Sequence, residues 1–109
     1  MKLFKLSFVL TALMSMAELQ AFAAYDTSTK VQVNGLSYYL DNNNLFAMVT
    51  SKNSGEYSGD ITIPISFTYQ KNKYAVMSIG KGAFQDCSKL TSVTIGDNVR
   101  DIGEGAFYG

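Results

Sequence analysis

Apolar and polar residues alternate with a period of two over residues 30–40, on both sides of the pair Asn34-Gly35. The apolar positions are Val31, Val33, Leu36, Tyr38 and Leu40. A period of two gives each strand one apolar face. Asn-Gly supplies the two positive-φ residues that a type I′ turn requires. The pattern therefore predicts an antiparallel β-hairpin over residues 30–40.

Short strands and polar turns are predicted in the next forty residues. In order, they are a turn at 41–44, a strand at 45–50, a polar loop at 52–56, a strand at 60–64, and a hairpin at 67–76 with a polar tip at 70–73. Pro64, the only proline, ends its strand because it cannot donate to a ladder. No apolar period typical of a helix follows residue 23.

A six-residue motif occurs twice: residues 79–84 (IGKGAF) return as residues 102–107 (IGEGAF), 23 positions later. Between the copies, residues 90–95 follow the pattern L-x-x-V-x-I, and Ile61 and Ile63 are its upstream counterparts. Because a fixed period of this length is typical of solenoids, equivalent side chains should stack in a shared core. The predicted fold is mainly β: a small antiparallel β N-terminal cap, then a short, incomplete solenoid of about two 23-residue units.

The N-terminal residues have the features of a secretory signal peptide. Lys2 and Lys5 precede an apolar stretch from Leu6 to Ala17, and residues 21–23 (AFA) give the small-x-small pattern of a cleavage site. Cleavage after Ala23 is expected, and an uncleaved anchor is the alternative, although the stretch is short for a membrane span. The predicted division is a signal peptide at 1–23, a cap at 24–60 and repeats at 61–109.

The chain stops inside the second copy of the repeat. Solenoids need about three or more units and a cap at each end, so we expect an N-terminal fragment of a longer protein. Its open end should expose parts of four apolar side chains and favour self-association. These are Leu90, Val93, Ile95 and Phe107.

Charge and cysteine content exclude several classes of function. Removing Lys2, Lys5 and Glu18 with the leader leaves seven basic and eight acidic side chains, so nucleic acid and anionic membranes are poor partners. The chain has no histidine, and Cys87 is its only cysteine. An intramolecular disulfide is therefore impossible, and Cys87 lacks a histidine that could activate it as a nucleophile.

The repeat residues resemble the BspA-like class of leucine-rich repeats, which is typical of Bacteroides-type bacteria. The matching positions are Ile61-Thr62-Ile63-Pro64, Ile79-Gly80, Ala83-Phe84, Cys87, Leu90, Val93, Ile95, Val99, Ile102-Gly103 and Ala106-Phe107. Residues 33–64 also look like the non-repeat lead-in of such proteins, while Gly96 departs from a common proline. The resemblance implies an exported or surface-exposed protein that takes part in adhesion to host or microbial surfaces.

Other motifs are better explained by structure than by chemistry. Residues 80–82 and 103–105 (G-x-G) lack the third glycine and the long helix of a dinucleotide site, so they predict tight bends. Residues 41–44 lack the central glycine and distal glutamate of a calcium loop. Asp97, Asp101 and Glu104 should be solvated, and Cys87 should pack as a small apolar residue.

The sequence thus predicts a noncovalent binding or adhesion protein with no catalytic, cofactor or metal residues. Its partner would be a protein or another cell-surface macromolecule, and its binding residues are not identified, although Thr91, Ser92 and Thr94 should face outward. Two alternatives stay open: an accessory module of a longer exported hydrolase, and a purely structural envelope protein.

Overall fold

A computed structural model describes residues 24–109, all of whose regular elements are β-strands. The predicted signal peptide, residues 1–23, lies outside the described residues. The strands are β1 (Asp26–Val33), β2 (Leu36–Asp41), β3 (Phe46–Thr50), β4 (Gly59–Ile63), β5 (Ser66–Tyr69), β6 (Asn72–Ile79), β7 (Leu90–Ile95) and β8 (Asp101–Ile102). The predicted mainly-β fold is confirmed. Residues 24–109 offer no helix with the length and apolar character that crossing a membrane requires.

Six strands form the main sheet, in the order β1-β2-β3-β6-β5, with β8 also paired to β6. Strands β1, β2 and β3 are antiparallel, whereas β3 and β6 run parallel. The remaining strands, β4 and β7, form a separate parallel pair, called here the repeat sheet.

Two-residue turns close two hairpins of the main sheet, β1–β2 and β5–β6, whereas residues 42–45 connect the third, β2–β3. Asn34 and Gly35 have φ of 50° and 87°, as expected for the predicted turn between β1 and β2. Gln70 and Lys71, with φ of 50° and 71°, form the turn between β5 and β6. The predicted tip at 70–73 is therefore too long, because Asn72 already belongs to β6.

Strand β6 joins the hairpin to the repeat, although the sequence predicts that its strand ends at Val76. It runs on to Ile79, the first residue of the repeated motif. One edge pairs with β3, and the other pairs first with β5 and then with β8. The first coil of the solenoid therefore continues a strand of the main sheet.

The core contains apolar side chains of both sheets. Its largest fully buried apolar members include Tyr38, Tyr57, Ile63, Ile79, Val49, Val76 and Val93. Two predictions at the strand ends need correction. Ser37 is buried although it falls on the predicted polar face of β2, and Leu45 lies in the preceding turn with φ of 59°, so β3 begins at Phe46.

Candidate interaction surface

The repeat sheet has one apolar face and one polar face. Its register pairs Ile61 with Val93 and Ile63 with Ile95, the positions that the repeat pattern aligns. Ile63 and Val93 are buried, and Ile61 and Ile95 are half-buried against the core. The intervening pairs, Asp60–Ser92 and Thr62–Thr94, therefore face outward.

We call this surface the outward polar face, and it consists of five residues: Asp60, Thr62, Thr91, Ser92 and Thr94. Four of them are exposed, and Ser92 is half-buried. The face carries hydroxyl groups and one carboxylate on two rigid neighbouring strands. It therefore offers hydrogen-bond donors and acceptors at fixed spacing.

A bulge organises the acidic end of the outward polar face. The register shifts between the pairs that Gly59 and Asp60 make with β7, so Thr91 has no direct partner. As a result, two successive hydroxyls donate to the same carboxylate oxygen, Asp60 Oδ1. Thr91 Oγ1 lies 2.7 Å from it, and Ser92 Oγ lies 2.8 Å from it. The hydrogen bonds from Thr91 and then Ser92 hold the pKa of Asp60 below its usual value.

The bends that follow the strands also stack in register. Phe84 N donates to the carbonyl of Ala106 at 2.7 Å, and Asp86 N donates to that of Tyr108 at 2.9 Å. Equivalent glycines, Gly82 and Gly105, have φ of 65° and 67°. The predicted glycine bends therefore recur with the same backbone conformation, 23 residues apart.

The first glycine of the second motif is needed for a different reason. A Cβ atom on Gly103 would lie 2.5 Å from Lys81 N and 2.8 Å from the Gly80 carbonyl carbon. Any side chain would therefore force the two coils apart. Glycine at this position permits backbone-to-backbone packing between coils.

An aromatic column runs through both coils and into the preceding segment. Phe84 and Phe107 stack with ring centroids 5.3 Å apart and planes 5° apart. The Tyr57 ring also contacts Phe84, with ring centroids 4.9 Å apart and planes tilted by 44°. The predicted stacking of equivalent side chains is confirmed, and Tyr57 extends the column one step further.

Sequence reasoning missed the role of Tyr57. Its ring is buried, and its hydroxyl donates to the Thr50 carbonyl at 2.6 Å and accepts from Ser37 N at 3.0 Å. Burial raises the pKa of Tyr57, and the Ser37 hydrogen bond lowers it only in part. Tyr57 stands 27 positions before Phe84 and not 23, so the repeat period does not reveal it.

The other sequence candidates are dispersed over the molecule. Cys87 is half-buried against the core, whereas the carboxylate-bearing residues Asp97, Asp101 and Glu104 are exposed. Within residues 24–109, no three His, Cys, Asp or Glu side chains are grouped as metal ligands.

The open end is more closed than the sequence predicts. Val93 is only 2% exposed, because it lies on the inward face of β7 opposite Ile61. Leu90, Ile95 and Phe107 are half-buried, so each still offers some apolar surface.

Comparison with known proteins identifies the repeated part of the chain. The family described as "BspA type Leucine rich repeat region (6 copies)" matches residues 62–109. Residues 62–109 are a BspA-type leucine-rich repeat region. No curated protein matches the chain significantly.

Two solved structures extend the likeness of this chain beyond the matched residues. A leucine rich cell surface protein from Faecalibacterium prausnitzii is 32% identical with a TM-score of 0.62 over 76% of the chain. A leucine-rich repeat protein from Bacteroides ovatus is 35% identical with a TM-score of 0.64 over 71% of the chain. The chain spans only 21% and 20% of the lengths of these two proteins.

Proposed function

We propose that this chain is part of an exported surface protein that binds other macromolecules through the outward polar face, without catalysis. The observation that carries the proposal is the geometry of that face. Five hydrogen-bonding side chains project from two parallel strands whose opposite side is packed into the core. A preorganised surface loses little conformational freedom on binding. The similarity to a leucine rich cell surface protein supports the surface location.

The expected interaction is noncovalent and polar. Hydroxyls can donate and accept hydrogen bonds, and the Asp60 carboxylate only accepts when ionised. Such a set suits an extracellular protein or a glycan-bearing surface, whose amides and hydroxyls supply complementary groups. Extending the sheet with further repeats would add equivalent rows of side chains, and affinity would then grow with repeat number.

Binding of the chain to immobilised extracellular matrix glycoproteins tests the proposal. Thr62→Lys together with Thr94→Lys places two charged side chains on adjacent positions of the outward polar face. Thr68→Lys is the control, because Thr68 is also an exposed strand threonine but lies on β5, outside the outward polar face.

The double substitution should weaken binding at least about tenfold, a change of about 1.4 kcal/mol, while the control binds normally. Equal binding by all variants would refute the assignment of this face. The absence of saturable binding to any matrix or cell surface would refute the binding function and favour a structural role in the envelope.

We further propose that the 109-residue chain self-associates. Within residues 24–109, β7 pairs with β4 along one edge only, and an unpaired strand edge is a template for another chain. Light scattering across a concentration series should show oligomers. A monomer at every concentration would contradict this proposal.

A further inference from the structure

The start of the described chain contacts a buried carboxylate. Asp41, the last residue of β2, is 1% exposed. Its Oδ2 atom accepts a hydrogen bond from the backbone nitrogen of Ala24 at 2.7 Å. Ala24 lies 17 residues away in sequence, so this contact ties the beginning of the described chain to the main sheet.

The other partners of Asp41 are neutral. Oδ1 accepts from the backbone nitrogens of Asn43 and Asn44, each at 3.0 Å. Oδ2 also accepts from Asn44 Nδ2 at 2.9 Å. Among residues 24–109, none of the groups that donate to this carboxylate carries a positive charge. These neutral donors keep the carboxylate ionised, and a cation at this point would stabilise its charge further.

Ala24 is also the residue that would follow the predicted cleavage after Ala23. Hydrolysis of the Ala23–Ala24 bond adds one water: the C–N bond breaks, the water oxygen completes a carboxylate on Ala23, and both water hydrogens go to Ala24 N, which becomes an ammonium. This nitrogen already lies at hydrogen-bond distance from Asp41 Oδ2. Removing the leader would therefore change an amide–carboxylate hydrogen bond into an ion pair without moving either group.

We propose that Asp41 is the receptor for the new α-ammonium of the processed chain, and that leader removal thereby locks the mature N-terminus onto the main sheet. The proposal rests on the predicted cleavage after Ala23 and is independent of the binding function. It gives the buried carboxylate a cation that only the processed chain contains. A precursor would lack this ion pair and would hold its N-terminal segment less firmly.

Neighbouring titratable groups influence the pH range in which the ion pair between the Ala24 ammonium and Asp41 forms. Tyr25 follows Ala24, and its hydroxyl lies 3.3 Å from Ser78 Oγ on β6. Burial raises the pKa of Tyr25, and the nearby Asp101 on β8 and Asp41 raise it further. Asp41 is thus the carboxylate that contacts the ammonium and favours its charged form, whereas Asp101 acts on the adjacent Tyr25 hydroxyl.

The sign of the pH effect follows directly. An α-ammonium has a pKa of about 7.7–8.0 in a free chain, and a close carboxylate raises such a value by about 1–3 units. The ion pair is therefore complete from above the acid range in which Asp41 is protonated up to about pH 7.7, and it is lost as the pH rises through the raised pKa of the ammonium.

Three versions of the 109-residue precursor, exported and processed by a bacterial host, test this. The first is the natural sequence. The second carries one glycine inserted between Ala23 and Ala24, which moves the ammonium one residue away from Asp41. The third is Asp41→Asn. Mass spectrometry of the secreted chains establishes the first residue, and the pH dependence of N-terminal acylation gives the α-amine pKa.

The natural chain should begin at Ala24 and show an α-amine pKa at least about one unit above that of the other two chains. Its melting temperature should fall between about pH 8 and 10, whereas that of the glycine-insertion chain should stay level there. A different first residue, or one common pKa in the natural and glycine-insertion chains, would overturn the proposal. That comparison is sufficient even if Asp41→Asn does not fold.

Discussion

The aromatic column gives the most quantitative prediction, because Phe84 contacts two aromatic rings. Its ring is 2% exposed and lies 4.9 Å from Tyr57 and 5.3 Å from Phe107. Phe107 is half-buried, and its only close aromatic neighbour among the described residues is Phe84. Replacing Phe84 should therefore cost about twice as much aromatic contact energy as replacing Phe107.

Leucine is the informative replacement, because it keeps much of the apolar volume. An aromatic pair contributes about 0.5–1.5 kcal/mol beyond area burial. Phe84→Leu loses two pairs and should lower the free energy of unfolding by about 1–3 kcal/mol, and Phe107→Leu by about 0.5–1.5 kcal/mol. Phe84→Ala would cost about 3–5 kcal/mol, a large part of the roughly 4–13 kcal/mol available to a domain of this size.

Urea unfolding measures these differences. The chain has seven tyrosines and no tryptophan, so tyrosine fluorescence and far-ultraviolet circular dichroism can follow the same transition. The double variant should show a coupling of about 0.5–1.5 kcal/mol between Phe84 and Phe107. Equal costs for the two single variants together with additivity in the double variant would refute the stacked arrangement.

Three further predictions follow from single contacts. Gly103→Ala should destabilise the fold by about 1–3 kcal/mol in urea unfolding, because its Cβ would clash with Lys81 N; an unchanged midpoint would contradict close coil packing. Tyr57→Phe should cost about 1–3 kcal/mol, because it leaves a buried N–H and a buried C=O without their shared hydroxyl; a neutral effect would show that water replaces it. Burial opposes ionisation of Asp41, but the hydrogen bonds from Ala24, Asn44 and Asn43 outweigh it and hold its pKa below the ordinary 3.8. The contribution of ionised Asp41 to folding stability is thus present above pH 3.8 and lost as the pH falls through the lower folded pKa. Asp41→Asn should therefore make the melting temperature less dependent on pH in the acid range. An unchanged dependence would contradict this.

Local patterns in the sequence were sufficient for the elements that depend on neighbouring residues. The Asn34-Gly35 turn follows from two positive-φ positions between alternating strands. The stacking of Phe84 on Phe107 follows from the repeat period, since equivalent residues of successive coils must occupy equivalent places. These features need no knowledge of distant contacts.

Features that depend on long-range pairing were not predictable in the same way. Parallel pairing of β3 with β6 joins segments separated by two strands, β4 and β5, and their loops, and no turn sequence encodes it. Burial of Ser37 and Asp41 contradicts their polar character. Asp41 is buried because hydrogen bonds from Ala24 and the following turn satisfy its carboxylate, and this contact cannot be read from residues 41–44 alone.

The outward polar face lies between these cases. The alternation of residues 90–95 predicts that Thr94 faces outward, and the structure agrees. The bulge that directs both Thr91 and Ser92 to Asp60 has no local signal, because it arises from the register between two strands about 30 residues apart.

Nuclear Overhauser contacts between the rings of Phe84 and Phe107 in the folded chain are the most direct test of coil stacking. Ring centroids 5.3 Å apart should give strong cross-peaks between the two rings, and the Phe84 amide, bonded to the Ala106 carbonyl, should exchange slowly with solvent. Missing cross-peaks together with fast exchange of that amide would contradict a shared interior built from successive coils.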